Sequence, residues 1–349
     1  MNNPKIPRPR NAERERRALR DKKRAKIIAV CILTAAILAV WGLIVFFWIT
    51  LVDPKHPAET EAPLPETTAA PVETTSPADR ETETVWLAAE DIHRGSLILV
   101  STLLSRAYVF PENDADLLSL YGNKNGNYRI SSSALMLHKD AAAAFGEMAD
   151  ACYTETGMRD YQITQAYRTK EEQTEIYDSY LEIYGAEEGA RLAAAPGYSE
   201  HHSGYAVDLN VFTREGVSYS LGSASEVDPA YGWIYEHAAD YGFVVRYPAD
   251  KTAVTGITNE PWHFRYVGRG HAAYMTENDL TLEEYIALLY KYPQDGEHLH
   301  FTAGGVDYEV FSLAATGEKT AAEIPVGADY TVSGDNDDGF IVTIYKNAK

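Results

Sequence analysis

Ser199-Glu200-His201-His202-Ser203-Gly204-Tyr205-Ala206-Val207-Asp208 is the stretch on which the reading of this 349-residue chain turns. Some fifty residues later it is answered by Glu260-Pro261-Trp262-His263. Together the two segments offer two imidazoles, one ligating carboxylate and a second carboxylate free to act as a base. A mononuclear zinc centre with an open coordination position uses that set.

His201 precedes Asp208 by seven residues, with Gly204 between them. A glycine lets the backbone turn sharply, so a loop-borne histidine and a strand-borne aspartate can converge on one ion. In Trp262-His263-Phe264-Arg265-Tyr266 the histidine is strand-borne, and Glu260 stands three residues ahead of it across a proline, at the strand's mouth. A carboxylate placed there can be near a metal without binding it, and can move a proton. His202 offers a second imidazole beside His201. His56, His93, His138, His237, His271, His298 and His300 stand in no comparable context. An iron-binding triad of two histidines and one carboxylate would place His-x-Asp on one strand, and the seven-residue spacing argues against it.

The elements around these segments alternate in type. Ala144, Phe145, Met148, Ala149 and Cys152 fall on one face of a helix expected over 140–156, with Gly157 at its C-terminal cap. A strand over 161–167 delivers Arg168, and Thr169-x-x-Glu172 is a capping box opening a helix to about Tyr184. Strands are expected over 97–100, 205–212, 243–247 and 262–267. A helix runs from Asp228-Pro229 to Gly242, and another is capped at Thr281-x-x-Glu284 and ends near Pro293. The class is α+β: a small, mainly antiparallel sheet with flanking helices carrying the metal site. From Glu297 onward the chain reads as two hairpins, one turning at Gly304-Gly305, the other linking 329–333 to 340–345.

The N-terminal part is organised differently. Residues 27–52 form a run of 26 residues without charge, including Trp41 and Trp48, long enough for one transmembrane helix. The run is too long for a signal-peptide core and ends in no small-x-small site, so an uncleaved anchor is expected. Residues 1–26 hold eleven Lys/Arg and three Asp/Glu, a net +8. This places the N-terminus in the cytoplasm and the bulk of the chain outside. Residues 53–84, with six prolines and no aromatic residue, read as an extended spacer reaching on the order of 100 Å. The whole chain is at −20, so everything after residue 26 carries −28, which argues against a nucleic-acid surface there. Cys31 and Cys152 are the only cysteines; a thiolate zinc site is excluded, and Cys152 reads as a small buried hydrophobe.

Four motifs carry a resemblance: Ala166-Tyr167-Arg168-Thr169, Pro196-Gly197-Tyr198-Ser199-Glu200-His201, Gly204-x-Ala206-x-Asp208, and Glu260-Pro261-Trp262-His263-Phe264-Arg265-Tyr266-Val267-Gly268. In order and spacing, over roughly residues 90–293, they resemble the VanY-type D-alanyl-D-alanine carboxypeptidases, zinc peptidases related to the VanX-type D,D-dipeptidases. The resemblance implies one Zn²⁺ per chain held by His201, Asp208 and His263, with Glu260 as general base. It implies that Arg168 stabilises the substrate carboxylate or the oxyanion, and that Ser199 and Gln173 line the substrate site. Of the histidine doublet, His201 is the ligand that fits the family spacing to Asp208. His202 and Ser203 stand where Gln and Thr are common, and Gln165-Ala166-Tyr167 replaces the usual Ser-Gly-Tyr.

The expected organisation is therefore a basic cytoplasmic tail (1–26), a transmembrane anchor (27–52), a spacer (53–84), a zinc peptidase domain (85–293) and a small β domain (294–349). The implied substrates are peptidoglycan stem peptides, met outside the cell. Removal of the terminal D-alanine is the leading expectation. An L,D-carboxypeptidase or endopeptidase would use the same centre, and a non-catalytic wall-binding protein would keep the fold while losing a ligand or the base.

Overall fold

The computed structural model describes residues 80–112 and 114–347. The basic tail, the uncharged run and nearly all of the spacer lie outside the described residues. Among the described residues no helix is long and apolar enough to cross a membrane.

The strands are β1 (Thr82–Ala88), β2 (Leu117–Ser119), β3 (Arg129–Ile130), β4 (Met136–His138), β5 (Tyr161–Gln165), β6 (Ala206–Phe212), β7 (Ser218–Ser220), β8 (Phe243–Tyr247), β9 (Glu260–Tyr266), β10 (Leu299–Ala303), β11 (Val306–Ala314), β12 (Lys319–Pro325), β13 (Asp329–Gly334) and β14 (Gly339–Asn347). The helices are α1 (Lys139–Thr156), α2 (Lys170–Tyr184), α3 (Ala186–Leu192), α4 (Leu221–Val227), α5 (Trp233–His237), α6 (Thr252–Thr255), α7 (Arg269–Glu277) and α8 (Leu282–Leu289).

The sheet that matters for function runs β3-β5-β6-β9-β8, with β7 paired to β6. Only the β3–β5 pair is parallel, so the sheet is mainly antiparallel as expected. Helix α1 covers one face of it. Its buried stripe of Ala141, Ala144, Phe145, Met148, Ala149 and Cys152 packs onto Ile163, Val207, Leu209 and Phe264 from the strands. The helix stops at Gly157, whose φ of 74° is the left-handed conformation of a glycine C-cap. Phe145 is fully buried and meets Tyr128 and Phe243 edge-on. Phe145→Ala should cost about 3–5 kcal/mol of stability, read as a lower midpoint in urea with an unchanged slope.

Both capping boxes form as expected, Thr169 with Glu172 at α2 and Thr281 with Glu284 at α8. Three expectations are corrected. Segment 97–100 is a buried turn and coil segment rather than a strand. Leu97 and Leu99 enter one hydrophobic cluster and Ile98 and Val100 another. With both sides buried, its backbone bonds to Ser333 Oγ, Asp335 O and the Arg265 guanidinium instead of a strand partner. The helix expected from Asp228 to Gly242 is broken into a 3-10 turn (Pro229–Gly232), α5 and a second 3-10 turn (Ala238–Tyr241). The strand expected to reach Tyr167 ends at Gln165, because the Tyr167 and Arg168 amides leave the sheet to bond Met136 O and His201 O.

The limits set for the spacer and the C-terminal β domain also shift. Residues 82–84, read as spacer, belong to β1, which pairs antiparallel with β12. Strand β1 alternates exposed Thr84 and Trp86 with Val85 and Leu87, which pack against Phe311, Ala322 and Ile324. The first described strand thus completes the last β region. The hairpin β10–β11 turns at Gly304-Gly305, both at positive φ, and β11, β14 and β13 extend it. No boundary in packing falls at 293/294: Val244, Val267, Tyr285, Leu289, Leu299, Val310 and Ile341 share one hydrophobic cluster.

Candidate metal centre and substrate cleft

The long-range pairing of β6 with β9 builds the centre. Asp208 stands directly opposite His263 on the neighbouring strand, and Ala206 opposite Arg265. Ahead of β6, Glu200–Ser203 form a 3-10 turn that ends at Gly204 with φ 70°. That glycine's φ is left-handed, a backbone conformation that favours glycine over any residue with a side chain. The turn swings His201 back over Asp208. Glu260 opens β9. A three-residue step along a regular strand would point Glu260 and His263 to opposite faces. Between the pairs Val245↔Phe264 and Tyr247↔Glu260, β8 advances two residues while β9 advances four, so the register shifts. The irregularity re-aims Glu260, whose Oε2 lies 3.7 Å from His263 Nδ1.

Ligand atoms of His201, Asp208 and His263 all lie within 4.8 Å of one another. His201 Nδ1 is 2.7 Å from the Ala166 carbonyl, an acceptor only, so Nδ1 carries the proton and Nε2 presents its lone pair beside Asp208 Oδ1 at 3.3 Å. His263 turns Nδ1 to Asp208 Oδ1 at 2.9 Å and Nε2 to Glu200 Oε2 at 3.4 Å. The other imidazole of the doublet is placed differently. His202 donates from Nδ1 to Arg168 O and accepts at Nε2 from the Gly197 amide, so both nitrogens are engaged. Burial pushes His202 down to about 4, and it stays neutral.

Arg168 is buried, with Nη1 bonded to Gln173 Oε1 at 2.5 Å and Nη2 to Gln165 Oε1 at 3.3 Å. Its Nε has no partner among the described residues. Gln173 is itself held through its amide nitrogen to Ala194 O. A cleft of about 150 Å³ opens on this arrangement; Arg168, Gln173, Ser199, His201, Glu260 and Trp262 are among its walls. Arg168, Gln173, Ser199, His201, Asp208, Glu260 and His263 therefore meet at one cleft, and His202 is not among its walls.

The charges are strongly coupled. Burial raises the Asp208 carboxyl, but His201 and His263 outweigh it and hold it well below the usual range. Burial likewise raises Glu260, and with Asp208 nearby and His263 only partly opposing, its carboxyl is pushed up to about 7. Burial alone would lower His263, but its contacts with Asp208 and Glu200 outweigh that and push it up to about 9.

One group of residues was given no role from sequence. Glu200 accepts from Arg246 Nε at 2.7 Å and Arg265 Nη1 at 3.0 Å, and Glu283 takes Arg246 bidentately at 2.6 and 2.8 Å. The one available signal was Arg246 within the otherwise apolar Phe243-Val244-Val245-Arg246-Tyr247 strand, since a charge there demands a buried partner.

Two imidazoles and an ionised carboxylate form a donor set suited to zinc. Comparison with known proteins agrees. A protein-family model described as VanY, D-alanyl-D-alanine carboxypeptidase, matches residues 134–269. The D-alanyl-D-alanine carboxypeptidase of Enterococcus faecium is 33% identical over 270 residues, covering 77% of this chain and 82% of that protein. The bifunctional D-Ala-D-Ala dipeptidase and D-Ala-D-Ala carboxypeptidase VanXYC of Enterococcus gallinarum is 37% identical over 131 residues, 37% of this chain and 68% of that one. Among solved structures, the vancomycin resistance D,D-dipeptidase VanXYg, in complex with a D-Ala-D-Ala phosphinate analog, superposes with a TM-score of 0.65 at 31% identity. That match covers 76% of this chain and all of that one.

Proposed function

The chain belongs to the VanY-type D-alanyl-D-alanine carboxypeptidases, and from that premise we propose that it is a zinc D,D-carboxypeptidase releasing the C-terminal D-alanine of peptidoglycan stem peptides. The observation that carries the exopeptidase reading is Arg168. Its guanidinium is buried at the cleft with two neutral amides for partners, and no carboxylate pairs with it among the described residues. A buried cation so placed is matched by a carboxylate from the ligand, and a planar guanidinium takes it bidentately.

His201, Asp208 and His263 would hold the ion. A zinc ion there supplies Lewis acidity, polarising the scissile carbonyl and bringing a water's pKa toward neutrality. Glu260 takes the proton of the attacking water and returns it to the departing amine nitrogen as the C–N bond breaks. Arg168, braced by Gln173, holds the terminal carboxylate so that the last peptide bond, and no other, faces Glu260. Ser199 contributes to the same cleft wall.

The uncharged run at 27–52 anchors the chain, the eleven basic residues before it stay in the cytoplasm, and the proline-rich spacer carries the enzyme out to the wall. A matched pair of synthetic stems tests the specificity. Full-length protein should shorten a pentapeptide ending in D-Ala-D-Ala by one alanine, seen by mass, and leave the tetrapeptide intact. Cleavage of the tetrapeptide alone would assign L,D-carboxypeptidase activity instead, and cleavage of neither would support the non-catalytic reading.

A further inference from the structure

We infer that Glu200 is the positioning residue of the metal centre: its buried carboxylate fixes the orientation of His263, and the two guanidiniums on its other side fix the carboxylate. The inference rests on the zinc reading of the site given above.

The two histidines are held differently. His201 is oriented by a backbone carbonyl, Ala166 O, at 2.7 Å. His263 has no carbonyl on its outer nitrogen; Glu200 Oε2 stands there at 3.4 Å, on a side chain with no solvent exposure. With Nδ1 turned toward Asp208 and Glu260, the proton on Nε2 has Glu200 as its acceptor. An isolated buried carboxylate would be too costly to keep ionised. Here Oε1 is clamped by Arg246 and Arg265, so the charge is matched and the rotamer is fixed.

Each clamp is tied down in turn. Arg246 is gripped bidentately by Glu283 in the first turn of α8. Arg265 donates to the carbonyls of Ser96 and Ile98, which helps explain why the buried 97–100 segment needs no strand partner. A single 3-10 turn therefore supplies one ligand, His201, and through the preceding residue orients the other. Partners of this kind keep a ligating imidazole in one tautomer and raise its basicity, typically worth about 10–100-fold in metal affinity.

The test compares Glu200→Gln with Glu309→Gln, which removes a buried carboxylate held by Arg80 and His298, outside this network. Zinc dissociation constants are measured by competition with a chelator, and thermal midpoints alongside. E200Q should weaken zinc binding about 10–100-fold. E309Q should lower the midpoint yet leave the zinc constant close to that of the parent. Unchanged zinc affinity in E200Q, or equal weakening in both, would overturn the inference and leave the network a purely structural one. A parent protein with no zinc affinity would instead overturn the functional reading, and this inference with it. If E200Q fails to fold, nitrogen-15 spectra of the zinc-loaded parent decide. His263 should carry its proton on Nε2 and the metal on Nδ1; the reverse tautomer refutes the proposal.

Discussion

Glu260→Gln is expected to lower kcat by about 10³-fold while leaving the zinc dissociation constant within a few-fold of the parent. Gln keeps the shape and hydrogen-bonding reach of the side chain but cannot accept the proton of the attacking water. Glu260 stays outside the cluster of His201, Asp208 and His263, so the ion's donor set is intact. A second readout is independent of turnover. In the metal-free protein the Glu260 carboxyl is pushed up to about 7 by burial, against an ordinary value of 4.5. At pH 8 it is ionised in both folded and unfolded chains, and folding bears the cost of burying the charge. Gln removes that cost, so metal-free E260Q should be more stable than the parent at pH 8, by at most about 3 kcal/mol. The gain should shrink as the pH falls from about 7 toward 4.5, where the folded parent is already protonated. In the active enzyme kcat/KM should fall on the acid side, with a limb at or below about pH 7, since a bound cation favours the ionised form. Retained turnover in E260Q would show that another group moves the proton.

The histidine doublet yields the second large effect. His201→Ala should abolish zinc retention and with it turnover, because Nε2 of His201 is one of the three donors gathered beside Asp208. His202→Ala should keep zinc stoichiometric. Its cost lies in the fold, where the Gly197 amide and the Arg168 carbonyl lose their partner at a fully buried site. Two orphaned backbone groups are worth about 2–4 kcal/mol together, seen as a lower thermal midpoint. Zinc loss in His202→Ala with retention in His201→Ala would reverse the assignment.

What could be read from the sequence was what local chemistry dictates. The Thr169 and Thr281 capping boxes, the Gly157 and Gly242 stops and the Gly304-Gly305 turn each satisfy their backbone within a few residues, and all stand where expected. That His201, Asp208 and His263 belong together was legible because their motifs stand in order, although the register setting Asp208 against His263 was not. Glu260 needed an irregular register between β8 and β9 to face His263, which no spacing rule reveals. Segments whose partners are remote were missed or misread. Strand β1 is completed by β12, more than two hundred residues away in sequence. Segment 97–100 is as apolar as a strand but buries both sides, and its backbone is satisfied by Ser333, Asp335 and Arg265. Glu200 lies within the most informative stretch of the chain, yet its role depends on two arginines from two different strands.

The most direct test of the account is a time course of free D-alanine released from a synthetic pentapeptide stem by the full-length chain. It is run on the zinc-loaded protein, after chelation, and after zinc is restored. One D-alanine per stem is expected, with loss of release on chelation and recovery at about one zinc per chain. Release that persists through chelation, or a loaded protein that releases no D-alanine, would contradict it.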